Sequence, residues 1–217
     1  MLRSQFEEDL EKLHNQFYAM GQEVLSQINR TVRAFVTHDR DLAKEVIEDD
    51  AEVNEYEVKL EKKSFEMIAL QQPVSQDLRT VLTVLKAVSD LERMGDHAVA
   101  IAKATIRIKG EERLTEIEAE IKKMGKAVRH MVEDALDVYL NSDERRAYEI
   151  AASDEIIDNY FRDIQAMTVE GVRKNPDAAF AAKEYFQVLM YLERIGDYAR
   201  NLCEWVVYLK SGKIIEL

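Results

Sequence analysis

Two pairs of carboxylates stand four residues apart in matching surroundings: Glu92 and Asp96 within Leu91-Glu92-Arg93-Met94-Gly95-Asp96, and Glu193 and Asp197 within Leu192-Glu193-Arg194-Ile195-Gly196-Asp197. On a helix this spacing places both acids on one face about one turn apart, where they repel unless a cation lies between them. Asp50 with Asn54, and Asp154 with Asp158, show the same spacing. Such hard oxygen donors suit Mg²⁺, Mn²⁺, Ca²⁺ or iron better than a thiolate zinc site does. A single E-x-x-x-D on a charged helix reads as solvated surface. Two pairs in equivalent places in each half of the chain raise metal binding to a serious reading. Arg93 and Arg194, inside the motif, pair most simply with acids on the next turn. His97 is a candidate supporting or single-site ligand, with Tyr198 at its equivalent position.

The elements that must position these residues are helices. From Phe6, apolar residues recur at Leu10, Leu13, Phe17, Met20, Val24, Ile28 and Phe35, three or four apart, so a first helix covers about 4–37. A second pattern runs from Asp39 through Ala43, Val46, Val53, Leu60 and Met67 and stops at Gln71-Gln72-Pro73, since proline breaks a helix and suits the first turn of the next. The third helix, about 75–108, carries Leu82, Leu85, Val88, Leu91, Gly95, Ala98 and Ala102, and Gly110 closes it. The programme then repeats. With a shift of 104, Met20-Gly21 lies over Met124-Gly125, Asp39 over Asp143, Asp50 over Asp154 and Tyr56 over Tyr160; beyond Pro73 and Pro176 the shift is 101. A period of this size is a duplicated domain rather than a solenoid repeat. The expected fold is all-α, two tandem three-helix bundles over residues 1–110 and 111–217 that pack against each other or are semi-independent, because the junction near Gly110–Arg113 is short.

On a helical wheel, the third-helix acids lie roughly 110–150° from the centre of their apolar stripe and the second-helix pairs roughly 40–80° from theirs. If helices two and three of a unit are neighbours, both sets converge in the groove between them. Gly95 and Gly196 cost about 1 kcal/mol each relative to Ala in mid-helix, so close backbone contact with a neighbouring helix is expected there. Tyr56, Tyr160 and the methionines are expected in the core and the bundle interfaces.

Composition narrows the function classes. Seven Gly and two Pro in 217 residues are too few for a strand-and-turn protein. Forty-two acidic against thirty basic residues give a net charge of -12 and no basic cluster is visible along the chain, so nucleic acid is not an expected partner. Nor is direct phosphate sensing, for no basic nest or Gly-rich loop is present. Cys203, over Ala102 in the repeat, is expected to be an inert buried thiol. The start Met1-Leu2-Arg3-Ser4-Gln5-Phe6 lacks a signal-peptide apolar stretch, and no apolar run approaches the roughly 18–20 residues of a membrane span, so a cytoplasmic protein is expected. P-loop, dinucleotide, nucleophile-elbow and Cys/His metal motifs are missing. The ferritin-like di-iron pattern needs two E-x-x-H motifs; the chain has one, Glu11 to His14. The expectation is therefore no enzyme.

The doubled L-E-R-[IM]-G-D in the last helix of each repeat, with the Asp50 and Asp154 segments, resembles the paired motifs of the PhoU family over essentially the whole chain. The resemblance implies a cytoplasmic negative regulator of the phosphate-starvation response and of phosphate uptake. Such proteins connect the ATPase subunit of the phosphate ABC transporter with the phosphate-sensing histidine kinase at the inner face of the membrane. It also implies metal on the bundle surface, multinuclear and with iron first, and Mg, Mn or Zn as alternatives. The ligands would be Asp50, Glu92 and Asp96 in the first unit and Asp154, Asp158, Glu193 and Asp197 in the second. Asn54 departs from the acid supplied by Asp158, so the first site would bind more weakly, an amide oxygen bringing no charge. His97, Arg93 and Arg194 would support the ligands. A homodimer is expected from the long amphipathic helices. A metal-independent helical adaptor and a carboxylate-bridged metal enzyme are the alternatives.

Overall fold

The computed structural model describes residues 2–217, with side chains from Gln5 onward. Its helices are α1 (Leu2–Thr37), α2 (Arg40–Gln71), α3 (Ser75–Arg107), α4 (Thr115–Asn141), α5 (Glu144–Ala152), α6 (Asp154–Lys174) and α7 (Ala179–Ser211), the last entered through a 3-10 turn at Pro176–Ala178. The punctuation is local chemistry. Asp39 caps α2 by accepting from the Asp41 and Leu42 amides, Asp143 caps α5 by accepting from Arg146, and Gly212 ends α7 in the left-handed region.

One element departs from the repeat. The second helix of the second unit is broken at Ser153, whose Oγ donates to the Ile150 carbonyl at 2.6 Å while its amide donates to the same oxygen at 2.9 Å. A serine that satisfies the preceding turn in this way competes with the helical ladder. Asp49, its counterpart in the first unit, continues the helix, and the break falls immediately before Asp154.

Within each unit the helices pack as sequence periodicity requires, α1 with α2 and α3, and α4 with α6 and α7. The units themselves lie side by side, α3 along α7 and α1 along α4. Four long helices thus form the centre, with α2 outside the α1–α3 pair and α5–α6 outside the α4–α7 pair. One hydrophobic core runs through both halves, from Leu13, Phe17 and Ile28 to Leu189, Ile195 and Leu202. Along the α1–α4 seam, a Cβ on Gly21 would lie 2.6 Å from Leu136 and one on Gly125 2.7 Å from Val32. These contacts are equivalent under the 104-residue shift. Glycine lets the facing side chains seat closely at both, and a Cβ there would require Leu136 or the stiffer Val32 to shift.

Polar groups buried between the units finish the joint. The Asp90 carboxylate on α3 accepts from Trp205 Nε1 on α7 at 2.9 Å and from Asn201 at 3.4 Å. Arg107 on α3 donates Nε and Nη2 to Glu184 on α7 at 3.0 and 2.7 Å. At the start of α4, the buried Glu118 carboxylate takes up Arg113 from the junction, Tyr185 Oη from α7 at 3.0 Å and His38 from the α1–α2 turn at 2.9 Å. Charge-assisted bonds of this kind hold when every partner is satisfied.

Candidate functional site

The eight candidate residues fall in two equivalent grooves. Asp50 and Asn54 on α2 face Glu92 and Asp96 on α3; Asp154 and Asp158 on α6 face Glu193 and Asp197 on α7. The mid-helix glycines explain how the helices meet. A Cβ on Gly95 would lie 3.1 Å from Gln27 Oε1, 3.3 Å from Val53 and 3.5 Å from Asp50 Oδ1; one on Gly196 would lie 2.9 Å from Ile157 and 3.0 Å from Asp154 Oδ1. In each repeat the notch in the third helix therefore receives the leading carboxylate of the second. The close contact expected at these glycines is made by side chains, and a carboxylate is among them.

Crowded, partly desolvated anions hold protons more tightly. Glu92 is pushed up to about 7, by burial first and then by Asp96, Glu57 and Asp50. Asp154 is pushed up to about 6 by burial, against the pull of Arg200. Asp50 and Glu193 shift the same way, again by burial first and then by Asp96 and Asp197 respectively. Glu57 also belongs to the first groove, although sequence reading passed over it. It lies seven residues after Asp50, so the same periodicity could have found it, but Phe161 stands at its position in the second repeat.

The two grooves differ in what balances their charge. In the second, Arg200 donates Nη1 to Asp154 at 2.8 Å and Nη2 to Asp197 at 3.1 Å, while Arg194 reaches Asp197 at 3.2 Å and Glu193 at 3.9 Å. In the first, Asn54 Nδ2 donates to Asp50 at 3.3 Å and the Gln27 amide lies against the same carboxylate. Arg93 turns its guanidinium to the Tyr198 ring, 5.8 Å from the centroid. Beneath this groove Gln27 is fully buried, its amide lying at the Gly95 notch against the Asp50 carboxylate, to which it hydrogen-bonds.

Other candidates have structural partners. His97 stacks on Tyr191 and Tyr198 at 5.5 and 5.7 Å, on the seam between α3 and α7. His14 meets Tyr139 Oη at 2.9 Å across the α1–α4 seam. Cys203 is fully buried, and burial pushes its thiol up to about 12. Tyr56 and Tyr160 pack against the core.

Sequence reading also missed a basic crevice. Arg33 on α1 and Lys122, Lys126 and Arg129 on α4 surround a cavity of about 160 Å³ floored by Val32, Val36 and Gly125. The repeat places Asp137, Tyr18, Gln22 and Leu25 at the corresponding positions, so the charge belongs to this end of the seam alone. It was illegible because α1 and α4 are about 90 residues apart and only their packing assembles it.

The sequence model of the PhoU domain matches twice, over residues 17–105 and 121–206, and the two matches hold all eight groove residues. The chain belongs to the PhoU family. It is 37% identical to a phosphate-specific transport system accessory protein PhoU homolog of Clostridium acetobutylicum, over 100% of this chain and 99% of that protein. A homolog of the same name in Streptococcus pneumoniae is 34% identical over the full length of both. The crystal structure of the phosphate transport system regulatory protein PhoU from Streptococcus pneumoniae superposes with a TM-score of 0.91 at 32% identity, covering 98% of this chain and 100% of that one. PhoU from Pseudomonas aeruginosa gives 0.91 at 33%, covering 96% and 100%.

The PhoU resemblance brings metal into question, and the grooves answer differently. As the side chains stand, no three His, Cys, Asp or Glu among the described residues converge closely enough to hold an ion. The first groove offers donors of the right chemistry for a hard cation, since Asp50, Glu92 and Asp96 have no ion-pair partner within 4 Å among the described residues and crowd one another. The second groove is filled by a guanidinium.

Proposed function

We propose that the chain is a regulatory accessory protein of phosphate transport, one that keeps the phosphate-starvation response off by linking the transporter's ATPase subunit to the phosphate-sensing histidine kinase. The observation that carries this reading is full-length membership of the PhoU family with the acidic motif doubled on the outer grooves of the bundle. No described helix is long and apolar enough to cross a membrane, which suits a cytoplasmic protein reaching the bilayer through its partners. The carboxylates are arranged without a hydroxyl or thiol nucleophile, which supports a binding role over a catalytic one.

Metal at the acidic groove turns a repulsive patch into one a partner can dock against; iron, Mn²⁺ and Mg²⁺ match its oxygen donors. Capture of the purified ATPase subunit and of the kinase's cytoplasmic part by the purified chain tests this directly. Binding is expected in the presence of metal and lost on chelation; capture of neither partner sinks the regulatory reading. Binding that survives chelation establishes the metal-independent adaptor instead, a reading favoured at the second groove by its arginine pairs.

The basic crevice offers acidic partner segments a complementary edge. Lys122→Glu with Lys126→Glu is expected to weaken capture of one partner about tenfold, chiefly through the association rate and more so at low salt; equal capture at 50 mM salt would rule the crevice out of the interface. Exposed Val58 and Phe65, two turns apart on α2, suit pairing with a second copy, to be checked by light scattering at micromolar concentration.

A further inference from the structure

The chain carries a net charge of -12, yet the α1–α4 seam holds a crevice with four cations and no acid in its lining. Among the described residues Arg33, Lys122 and Lys126 make no ion pair, and Arg129 reaches only Glu133 on its own helix, at 3.3 Å. Lys122 and Lys126 stand four apart on α4, where like charges destabilise a helix unless an anion joins them. Another lysine-lined hollow, between α1 and α2, shows the usual remedy. Its Lys59 pairs with Glu55 at 2.6 Å, its Lys63 with Asp9 at 2.8 Å, and Glu66 joins Lys12 and Lys62 in the lining. The crevice on the seam lacks this remedy.

We propose that this crevice binds a small polyanion of the oligophosphate class, inorganic or carried on a nucleoside, whose phosphoryl oxygens meet Arg33, Lys122, Lys126 and Arg129. The binding needs neither a protein partner nor a metal, so it goes beyond the regulatory reading above. It also departs from the sequence expectation, which sought a basic cluster or a Gly-rich loop along the chain.

Charge, reach and size choose this ligand. Guanidinium forks take two phosphoryl oxygens at once, and lysines meet the remaining charge as point cations. Lys122 and Arg129 lie about 10 Å apart along the α4 axis, so a single phosphate cannot reach every cation, whereas a chain of two or three phosphoryl groups can. A dicarboxylate has too little charge for four cations. Nucleic acid would carry its further phosphates onto an acidic surface, while a small anion ends where the crevice ends. The hollow, at about 160 Å³, admits phosphoryl groups. A helical partner segment is about 10 Å across and meets only the rim. The floor of Val32, Val36 and Gly125 is apolar and gives a nucleoside a surface to rest on. Asn29, on the same face of α1, adds an amide donor.

The test is equilibrium dialysis of the full chain against tripolyphosphate and, separately, ATP, read as retained phosphorus. Protein and buffer are freed of metal beforehand, so that no ion on the acidic grooves can hold the phosphate, and circular dichroism confirms the fold of each variant. The wild type is expected to retain one anion per chain. Lys122→Gln/Lys126→Gln, both exposed, is expected to weaken retention at least ~tenfold. Lys59→Gln/Lys62→Gln, in the compensated hollow, is expected to change it by less than about twofold. Tighter retention of ATP than of tripolyphosphate assigns the apolar floor to a nucleoside, and equal or weaker retention assigns the site to phosphoryl groups alone; both support the proposal. Equal weakening by the two lysine pairs means attraction to surface charge in general and overturns it. So does a folded wild type that retains neither anion, which leaves the crevice to acidic partner segments and the regulatory reading untouched.

Discussion

Glu118→Ala lowers the unfolding free energy by about 3–5 kcal/mol, the cost of removing one partner from a buried ion pair. Glu118 is 3% exposed and gathers three segments: Arg113 from the junction between the units, Tyr185 from α7 and His38 from the turn after α1. Arg113 also donates to the Phe35 carbonyl at 3.0 Å, and Tyr185 Oη accepts from the Leu114 amide at 3.0 Å. Removing the carboxylate leaves a guanidinium buried without its anion and a tyrosine hydroxyl without its acceptor. For a chain of this size the melting temperature falls by roughly 6–20 °C. Glu118→Gln keeps the acceptor oxygen and loses less. A melting temperature within about 2 °C of the wild type after Glu118→Ala would mean that the junction is held by apolar packing alone.

Neutralising the first groove has an effect of opposite sign on stability. In metal-free buffer, Glu92→Gln/Asp96→Asn is expected to be more stable than the wild type above pH 7 while losing the metal load. The sign follows from Glu92, raised from 4.5 to about 7 by burial and its acidic neighbours. The folded state therefore binds more protons than the unfolded state between these values, and stability falls as pH rises through that window. The double variant lacks this titration and its melting temperature stays flatter across pH 4.5 to 7. Metal added to the wild type should abolish the slope by supplying the missing positive charge. A pH slope between 5 and 7 without metal that is the same in the wild type and the double variant would show that Glu92 is not held protonated above its ordinary range.

Both results bear on how a regulator can be built from a duplicated bundle. The joint between the halves is a shared apolar core crossed by bonds from the buried Asp90, Glu118 and Glu184 carboxylates, which hold α3 and α7 together. The grooves flanking that pair are open and charged. On the proposed reading, the outer grooves of this stable centre are where a change of charge would alter docking without loosening the core.

Much of the fold could be read from single residues. The three-to-four spacing from Leu10 to Phe35, Asp39 as a cap and Pro73 and Pro176 as breaks specify helices because these signals are local. The duplication was visible because both grooves use the same letters, L-E-R-x-G-D. Ser153 escaped notice, since a serine stops a helix only when its hydroxyl turns back on the preceding carbonyl. Within the candidate site, the spacing of Glu92 and Asp96 puts both acids on the face of α3 that meets α2, as the structure has them. Of its opposite lining, Glu57 follows Asp50 at helical spacing and was legible in principle, whereas Gln27 came into view only with α1 packed in place.

The sequence by itself determined the helices, their repetition, the acidic positions and the family. Tertiary structure alone decided which anions are free. Pairing depends on distances across helices: Arg200 lies three residues from Asp197 along the chain, yet its bond to Asp154 exists only because α6 packs on α7. The basic crevice is decided in the same way, by α1 meeting α4 through glycine. Helical periodicity is a property of neighbours in sequence, whereas charge compensation is a property of neighbours in space.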